Sequence, residues 1–321
     1  MIIFSKKIDF IFIKFPAIFP LIYLSTLYAV PQYGTVIAFL ALITLAEPHF
    51  GATWSVFFEK NMRTYAKNNK FLFIYSPILI AIGTAILFFK FANLFYLLFF
   101  AFNIYHVTRQ SIGICKLFSS TKTESLYQEY SLYFINFVVF IGVVAFHLMN
   151  LMTAKDATLF GICVLIASVF VAVIQTIKFK LWETSLTTFT GLSIFIPAFF
   201  VSEPIHAILA GVTMHYSQYL VMMLKIILGK SKQKNDQTRK WYQIINVKNY
   251  VLLIFLYGVI AVLLTTLSSS GTEAFSSLIF IPLLGQVLHF YLDGLIWKFK
   301  NDEMRDVHLK FLFYNLNHKQ A

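Results

Sequence analysis

Charge is scarce in this chain. Only 12% of its residues are Asp, Glu, Lys or Arg, about half the share found in a soluble globular domain. That shortage excludes the densely charged surface a cytosolic chain of 321 residues carries. Acidic residues are the rarer sign, 14 against 26 basic, for a net charge of +12. Cysteine is nearly absent. Cys115 and Cys163 stand singly in apolar runs without a CxxC, which excludes a disulfide framework and a zinc ribbon and leaves two buried thiols as the expectation. The basic excess comes without a basic–aromatic patch, so no nucleic-acid partner is expected. No internal repeat and no separate soluble segment stands out.

What is abundant is apolar side chain: 59% of residues are hydrophobic, 37 of them Phe, and the mean hydropathy is +0.74. No cytosolic core takes up so much, so the lipid bilayer is the expected solvent and partner. Apolar runs of membrane length fall at 10–30, 35–58, 71–89, 91–117, 129–150, 157–177, 185–202, 205–229, 250–268 and 275–297. The expected fold class is all-α: a polytopic membrane helix bundle of about ten transmembrane helices, forming one integral domain over 1–321. The first run follows Lys6 and Lys7 but is interrupted by Asp9 and Lys14. It reads as an uncleaved span with a short interfacial lead-in.

The connections alternate in charge. "EKNMRTYAKNNK", "KLFSSTKTES", "KFKLWE", "GKSKQKNDQTRKWYQIINVK" and the tail with Lys298, Lys300 and Arg305 are basic, whereas "VPQYG", the joint at Lys90, "MTAKDA", "SEP" and "SSSGTE" are short and nearly free of Lys and Arg. The positive-inside rule then puts both termini in the cytoplasm. A bacterial inner membrane is the expected location. Pro16, Pro20, Pro77, Pro197 and Pro282 fall inside runs and predict kinks.

With that topology, His49, His106, His215 and His289 each lie about ten to fifteen residues in from the outer end of an even-numbered span, roughly 15–22 Å deep at 1.5 Å per residue. Each has a polar neighbour about a turn away: Glu47 before His49; Asn103, Arg109 and Gln110 around His106; Gln218 after His215; Gln286 and Asp293 around His289. Ionisable groups at this depth cost several kcal/mol unless they face the interior and are partnered. Four imidazoles in one layer are expected to share a site, with separate packing roles as the bland alternative. His147 and His206 sit near outer helix ends; His308 and His318 lie in the tail, where solvation is expected.

Neutral imidazole with carboxylate is a ligand set for iron, zinc, manganese or copper. The expected metal ligands are His49, His106, His215, His289, Glu47 and Asp293. Arg109, Gln110, Gln218 and Asp293 are the candidates for catalytic or orienting roles around them. A redox metal among Phe and Leu suits oxidation of a lipophilic small molecule arriving from the bilayer. The expected function is a metal-dependent oxidoreductase or oxygenase, most simply with non-haem iron. A transporter or channel using the same polar layer, and a haem protein with two of these histidines as axial ligands, are the alternatives.

The clustered HxxxH and HxxHH boxes of membrane desaturases are absent, as are the adjacent histidines of haem–copper oxidases and the Asp-rich motifs of prenyltransferases. "PHFG" at Pro48–Gly51, with isolated histidines on separate spans, resembles the Brp/Blh-type bacterial carotene dioxygenases, polytopic proteins whose isolated histidines are the proposed iron ligands. Their Pro-His-Gly segment with a following Asp is not reproduced here, so the resemblance implies architecture and iron more than carotene.

Overall fold

A computed structural model describes residues 2–58, 60–232, 247–269, 277–298 and 302–313, and every regular element among them is helical. Most of the expected "GKSKQKNDQTRKWYQIINVK" and "SSSGTE" loops, Lys300 and His318 lie outside the described residues.

The first apolar run is a pair, α1 (Lys6–Lys14) and α2 (Ile18–Ala29), bent by 60°. Pro16 stands in the break, where its missing amide and fixed φ prevent a continuous ladder. Next comes α3 (Pro31–Ser55). The basic stretch read above as a loop contains a helix, α4 (Lys60–Asn68). Its Arg63, Thr64, Lys67 and Asn68 are exposed and Met62 is buried, the two-faced pattern of an interfacial helix. Helix α5 (Phe71–Lys90) ends at Phe91, whose extended φ of −138° separates it from α6 (Ala92–Phe118). Helices α7 (Lys122–Leu148) and α8 (Ala154–Phe179) follow.

The expected span at 185–202 is instead broken into α9 (Trp182–Ser193) and a 3₁₀ stretch at Ile196–Phe200. Twelve helical residues reach about 18 Å, well short of a ~30 Å hydrocarbon core, and Pro197 removes an amide just beyond. The remaining helices are α10 (Pro204–Lys232), α11 (Val247–Ser268) and α12 (Ser277–Ile296). Pro282 and Gly285 do not break α12.

Seven of these helices, α3, α5, α7, α8, α10, α11 and α12, are long and apolar enough to cross a membrane, or eight crossings if α1 and α2 form one. Helix α6 has the length, but its polar stretch from Asn103 to Gln110 takes it out of the seven. Seven such helices are compatible with an integral membrane protein. So is their exposed surface: only 6% of the apolar window of α5 is buried, and its Ile78, Leu79, Ile82, Ile86 and Phe89 point outward, an arrangement that water penalises and acyl chains do not. Helix α10 is the opposite case, with 78% of its window buried.

The chain folds as two compact units, Met1–Ala41 with Phe100–Gln218, and Leu42–Phe99 with Tyr219–Ala321. In the first unit, buried polar side chains tie the helices. Glu124, in the first turn of α7, accepts from Ser120 N and Oγ at 2.9 Å, from Thr184 Oγ1 of α9 at 2.5 Å and from Gln175 Nε2 of α8 at 3.2 Å. Every donor among the described residues is an amide or hydroxyl, so this buried carboxylate is held by neutral hydrogen bonds. Lys14 of α1 pairs with Glu183 of α9, and Thr190 Oγ1 donates to the Lys14 carbonyl at 2.8 Å. Cys115 is buried as expected, whereas Cys163 is exposed on α8. In the second unit, α12 leads to a folded tail. Met304, Phe311 and Leu312 of that tail are buried, and so is His308, contrary to the expectation of solvation. The His308 ring stacks on Trp297 at 6.3 Å, because the tail turns back on the end of α12.

Candidate metal centre

In the second unit, local structure aims three of the expected ligands. Pro48 cannot donate a backbone hydrogen bond. Helix α3 widens into a π turn at Leu42–Ala46 and resumes as α-helix at Glu47, a device that recurs at functional sites. Two residues past His49, a Cβ on Gly51 would lie 3.0 Å from the Tyr257 side chain. The glycine lets α11 close onto this turn.

His49 and His289 are both fully buried. Their rings meet edge to face with centroids 4.5 Å apart, and the Tyr219 ring lies edge-on to His49 at 4.3 Å. Asp293, one turn beyond His289 on α12, brings Oδ2 to 3.8 Å from His289 Nε2. Asp293 Oδ1 accepts from Thr53 Oγ1 and from Tyr219 OH, each at 2.8 Å. Thr53 Oγ1 is also 2.7 Å from Tyr219 OH and 2.7 Å from His289 Nδ1. Glu47 is buried two residues before His49, but its Oε1 accepts from Gln286 Nε2 at 3.2 Å. The edge contact between His49 and His289 leaves no room for a porphyrin plane between them, so this pair does not serve as two axial haem ligands.

In the first unit, His106 and His215 are buried, with ring centroids 5.8 Å apart and planes at 88°. Gln110 Nε2 lies 3.2 Å from His106 Nε2. Gln218 does something else: its Nε2 donates to the carbonyl of Ile13 at 2.6 Å, securing the end of α1. Arg109 is exposed, and its Nη1 donates to Tyr133 OH at 3.3 Å. A Cβ on Gly211 would lie 2.1 Å from the carbonyl oxygen of Ile194. Glycine there allows α10 to approach the end of α9 backbone to backbone, one turn before His215. Outside these clusters, His206 Nδ1 is bonded to Tyr23 OH at 2.6 Å and His147 Nε2 to the Ala198 carbonyl at 2.9 Å.

His49, His106, His215, His289 and Asp293 all belong to groups of buried ligand-type side chains that could hold a metal ion. Imidazole nitrogens and a carboxylate oxygen suit a borderline divalent cation. Neutral imidazole is the form that binds metal.

Thr53 and Tyr219 are the site residues that reading the sequence for histidine and carboxylate passes over. A signal for them exists. Each of the four candidate histidines has a hydrogen-bonding side chain four residues later: Thr53 after His49, Gln110 after His106, Tyr219 after His215 and Asp293 after His289. That spacing puts both on one helix face.

The chain matches no protein-family model, no curated protein and no solved structure.

Proposed function

We propose that this chain is an integral protein of a bacterial inner membrane, with at least the seven crossings its long apolar helices can make, and that it holds a metal ion, non-haem iron, for oxidation of a lipophilic substrate reaching it from the bilayer. The proposed ligands are His49, His289 and Asp293, with Glu47 beside them, all in the second unit. The observation that carries this reading is the buried trio of His49, His289 and Asp293, two imidazoles in ring contact and a carboxylate 3.8 Å from one of them. Three ionisable side chains buried among Phe and Leu are costly unless partnered, and one bound cation would partner all three. Iron supplies one-electron chemistry towards dioxygen; the protein's part is to hold the donors, exclude water and present an apolar approach. Phe50, whose ring lies 5.0 Å from His289, and Phe290 at 5.8 Å belong to that approach. The likeness of Pro48–Gly51 to the Brp/Blh-type dioxygenases supports the same class of chemistry.

The test is elemental analysis of detergent-purified protein expressed in metal-replete medium. Near-stoichiometric iron, lost in His49→Ala and in His289→Ala, is the expected result. A metal-to-protein ratio near zero overturns the reading. It would favour a transporter instead, for which the 60° break between α1 and α2 is the supporting feature; ion uptake by reconstituted vesicles would then be the measurement.

A further inference from the structure

The first unit holds a cavity that none of the proposed ligands line. Its volume is about 420 Å³, in the size range of small-ligand sites. It lies between the joint of α2 with α3 and the start of α10. Leu27, Tyr28 and Phe200 contribute apolar surface, and Thr35, Glu203 and His206 contribute polar groups. No lysine or arginine is among its described lining residues.

Local structure builds the polar end. Pro204 opens α10, a position where its missing amide costs nothing. Glu203 stands just before it, three residues from His206, and that spacing brings the two side chains together: Glu203 Oε2 is 3.9 Å from His206 Nε2. The His206 side chain is 7% exposed and that of Glu203 is 76% exposed, so the ring is enclosed while the carboxylate can turn. On the other side of the ring, Nδ1 meets Tyr23 OH of α2 at 2.6 Å. A phenol hydroxyl accepts as well as donates, so Tyr23 holds the ring in either tautomer. Nε2 has no hydrogen-bond partner among the described residues. It lies beside Gly34, where a Cβ would come within 3.1 Å of it, and glycine keeps that approach open. A buried histidine kept only to bond Tyr23 would be expected to satisfy its second nitrogen within the protein as well.

We infer that this cavity is a further metal site, taking a divalent first-row ion such as zinc on His206 Nε2 and the Glu203 carboxylate. Imidazole nitrogen with carboxylate oxygen is a donor set for such an ion rather than for calcium or magnesium. A separation of 3.9 Å is spanned by one ion with bonds of about 2.0–2.2 Å. Water from the open side fills the remaining positions, and Tyr23 orients the ligating ring. With two protein ligands, one of them exposed, the ion exchanges readily with its surroundings. The site shares no residue with the metal centre proposed above and does not depend on it.

The experiment is a calorimetric titration of zinc into full-length protein in detergent, stripped of metal with a chelator. Wild type, His49→Ala, His206→Gln and Glu203→Gln are compared. The expected result is a zinc-binding event present in wild type and in His49→Ala and lost in His206→Gln. In Glu203→Gln it weakens about tenfold or more, at least what losing a supporting contact costs. An event unchanged in Glu203→Gln, or kept in His206→Gln and lost in His49→Ala, overturns the inference. Should His206→Gln fail to accumulate, Glu203→Gln decides, because its exposed side chain can change without disturbing the fold. Calcium should not compete with zinc; equal competition marks attraction to a carboxylate alone and overturns the assignment. Zinc binding of the expected pattern in a protein that carries no iron leaves this site standing while the function proposed above falls.

Discussion

Thr53 and Asp293 are 240 positions apart in the chain, yet Thr53 Oγ1 donates to Asp293 Oδ1 at 2.8 Å with both side chains buried. This bond ties α3 to α12 within the second unit, and Tyr219 of α10 closes on the same carboxylate oxygen. Three segments far apart in sequence are thus held by one carboxylate, which makes Asp293 a structural keystone as well as a candidate ligand.

Removing that acceptor takes one hydrogen-bond partner from each of two buried hydroxyls. Asp293→Ala should destabilise the protein by about 1–3 kcal/mol, the scale of losing hydrogen bonds to a buried acidic side chain. Tyr219→Phe, which removes one donor and leaves Thr53 in place, should cost about 0.5–1.5 kcal/mol. Thermal melts in detergent without added metal measure both, and an Asp293→Ala variant as stable as wild type would refute the keystone role.

Gly211 and Gly113 form a matched pair of helix glycines. A Cβ at Gly211 would lie 2.1 Å from the backbone oxygen of Ile194, whereas a Cβ at Gly113 meets nothing within 4 Å. Because backbone cannot swing aside as a side chain can, Gly211→Ala should cost about 1–3 kcal/mol or more. Gly113→Ala should instead be neutral or stabilising by up to about 1 kcal/mol. Opposite signs in the same melting assay are the expected outcome; a destabilised Gly113→Ala beside an unaffected Gly211→Ala would contradict the packing.

The ion pair of Lys14 and Glu183 is lopsided, with side-chain exposures of 10% and 52%. Glu183→Gln leaves the enclosed ammonium without its partner, though solvent at the glutamate end screens the loss to on the order of 1 kcal/mol. Lys14→Met keeps the apolar stem packed and leaves an exposed carboxylate that water satisfies. Glu183→Gln should therefore be the more damaging single change, and a double-mutant cycle reading zero coupling would dismiss the pair.

His308 gives the tail a pH dependence. Burial first, and then the charge of Lys230, hold its imidazole well below the ordinary histidine value. The folded tail keeps His308 neutral while the undocked tail takes up a proton near pH 6.5. Docking is therefore at full strength above about pH 6.5 and weakens steadily as pH falls below it, towards the depressed folded value. Hydrogen exchange of the amides at Arg305–Leu309, corrected for intrinsic rates, should quicken at pH 5.5 relative to pH 7.5, and His308→Leu should abolish the difference. Identical protection at both values in the wild type would rule the effect out.

Much of the architecture is legible in the residue string, because a bilayer imposes a simple rule: a helix that crosses it needs about 20 apolar residues. The runs around α5, α8 and α11 are plain on that rule. It fails where helices bury polar side chains against one another. Positions 185–202 read as one span by composition, yet Thr184, Thr187, Thr188 and Thr190 are buried in the short α9, which ends before Pro197. The "EKNMRTYAKNNK" stretch reads as a loop by charge, yet α4 is helical because an interface accepts a two-faced helix. At the site, the histidines and Asp293 were visible as costly residues at membrane depth. Thr53 and Tyr219 were not, since threonine and tyrosine are cheap in a membrane helix and carry no alarm of their own.

Residue type and spacing alone determined that this chain is helical, apolar enough for a membrane, and supplied with several imidazoles inside its apolar runs, because each of those properties is local. Tertiary structure alone decided which of them act together. It set His49 against His289, turned Gln218 to the Ile13 carbonyl and Arg109 to Tyr133, and sent one carboxylate to two hydroxyls on other helices. Hydrogen-bond partnership between helices depends on contacts between residues hundreds of positions apart, and no local rule of periodicity or charge encodes it.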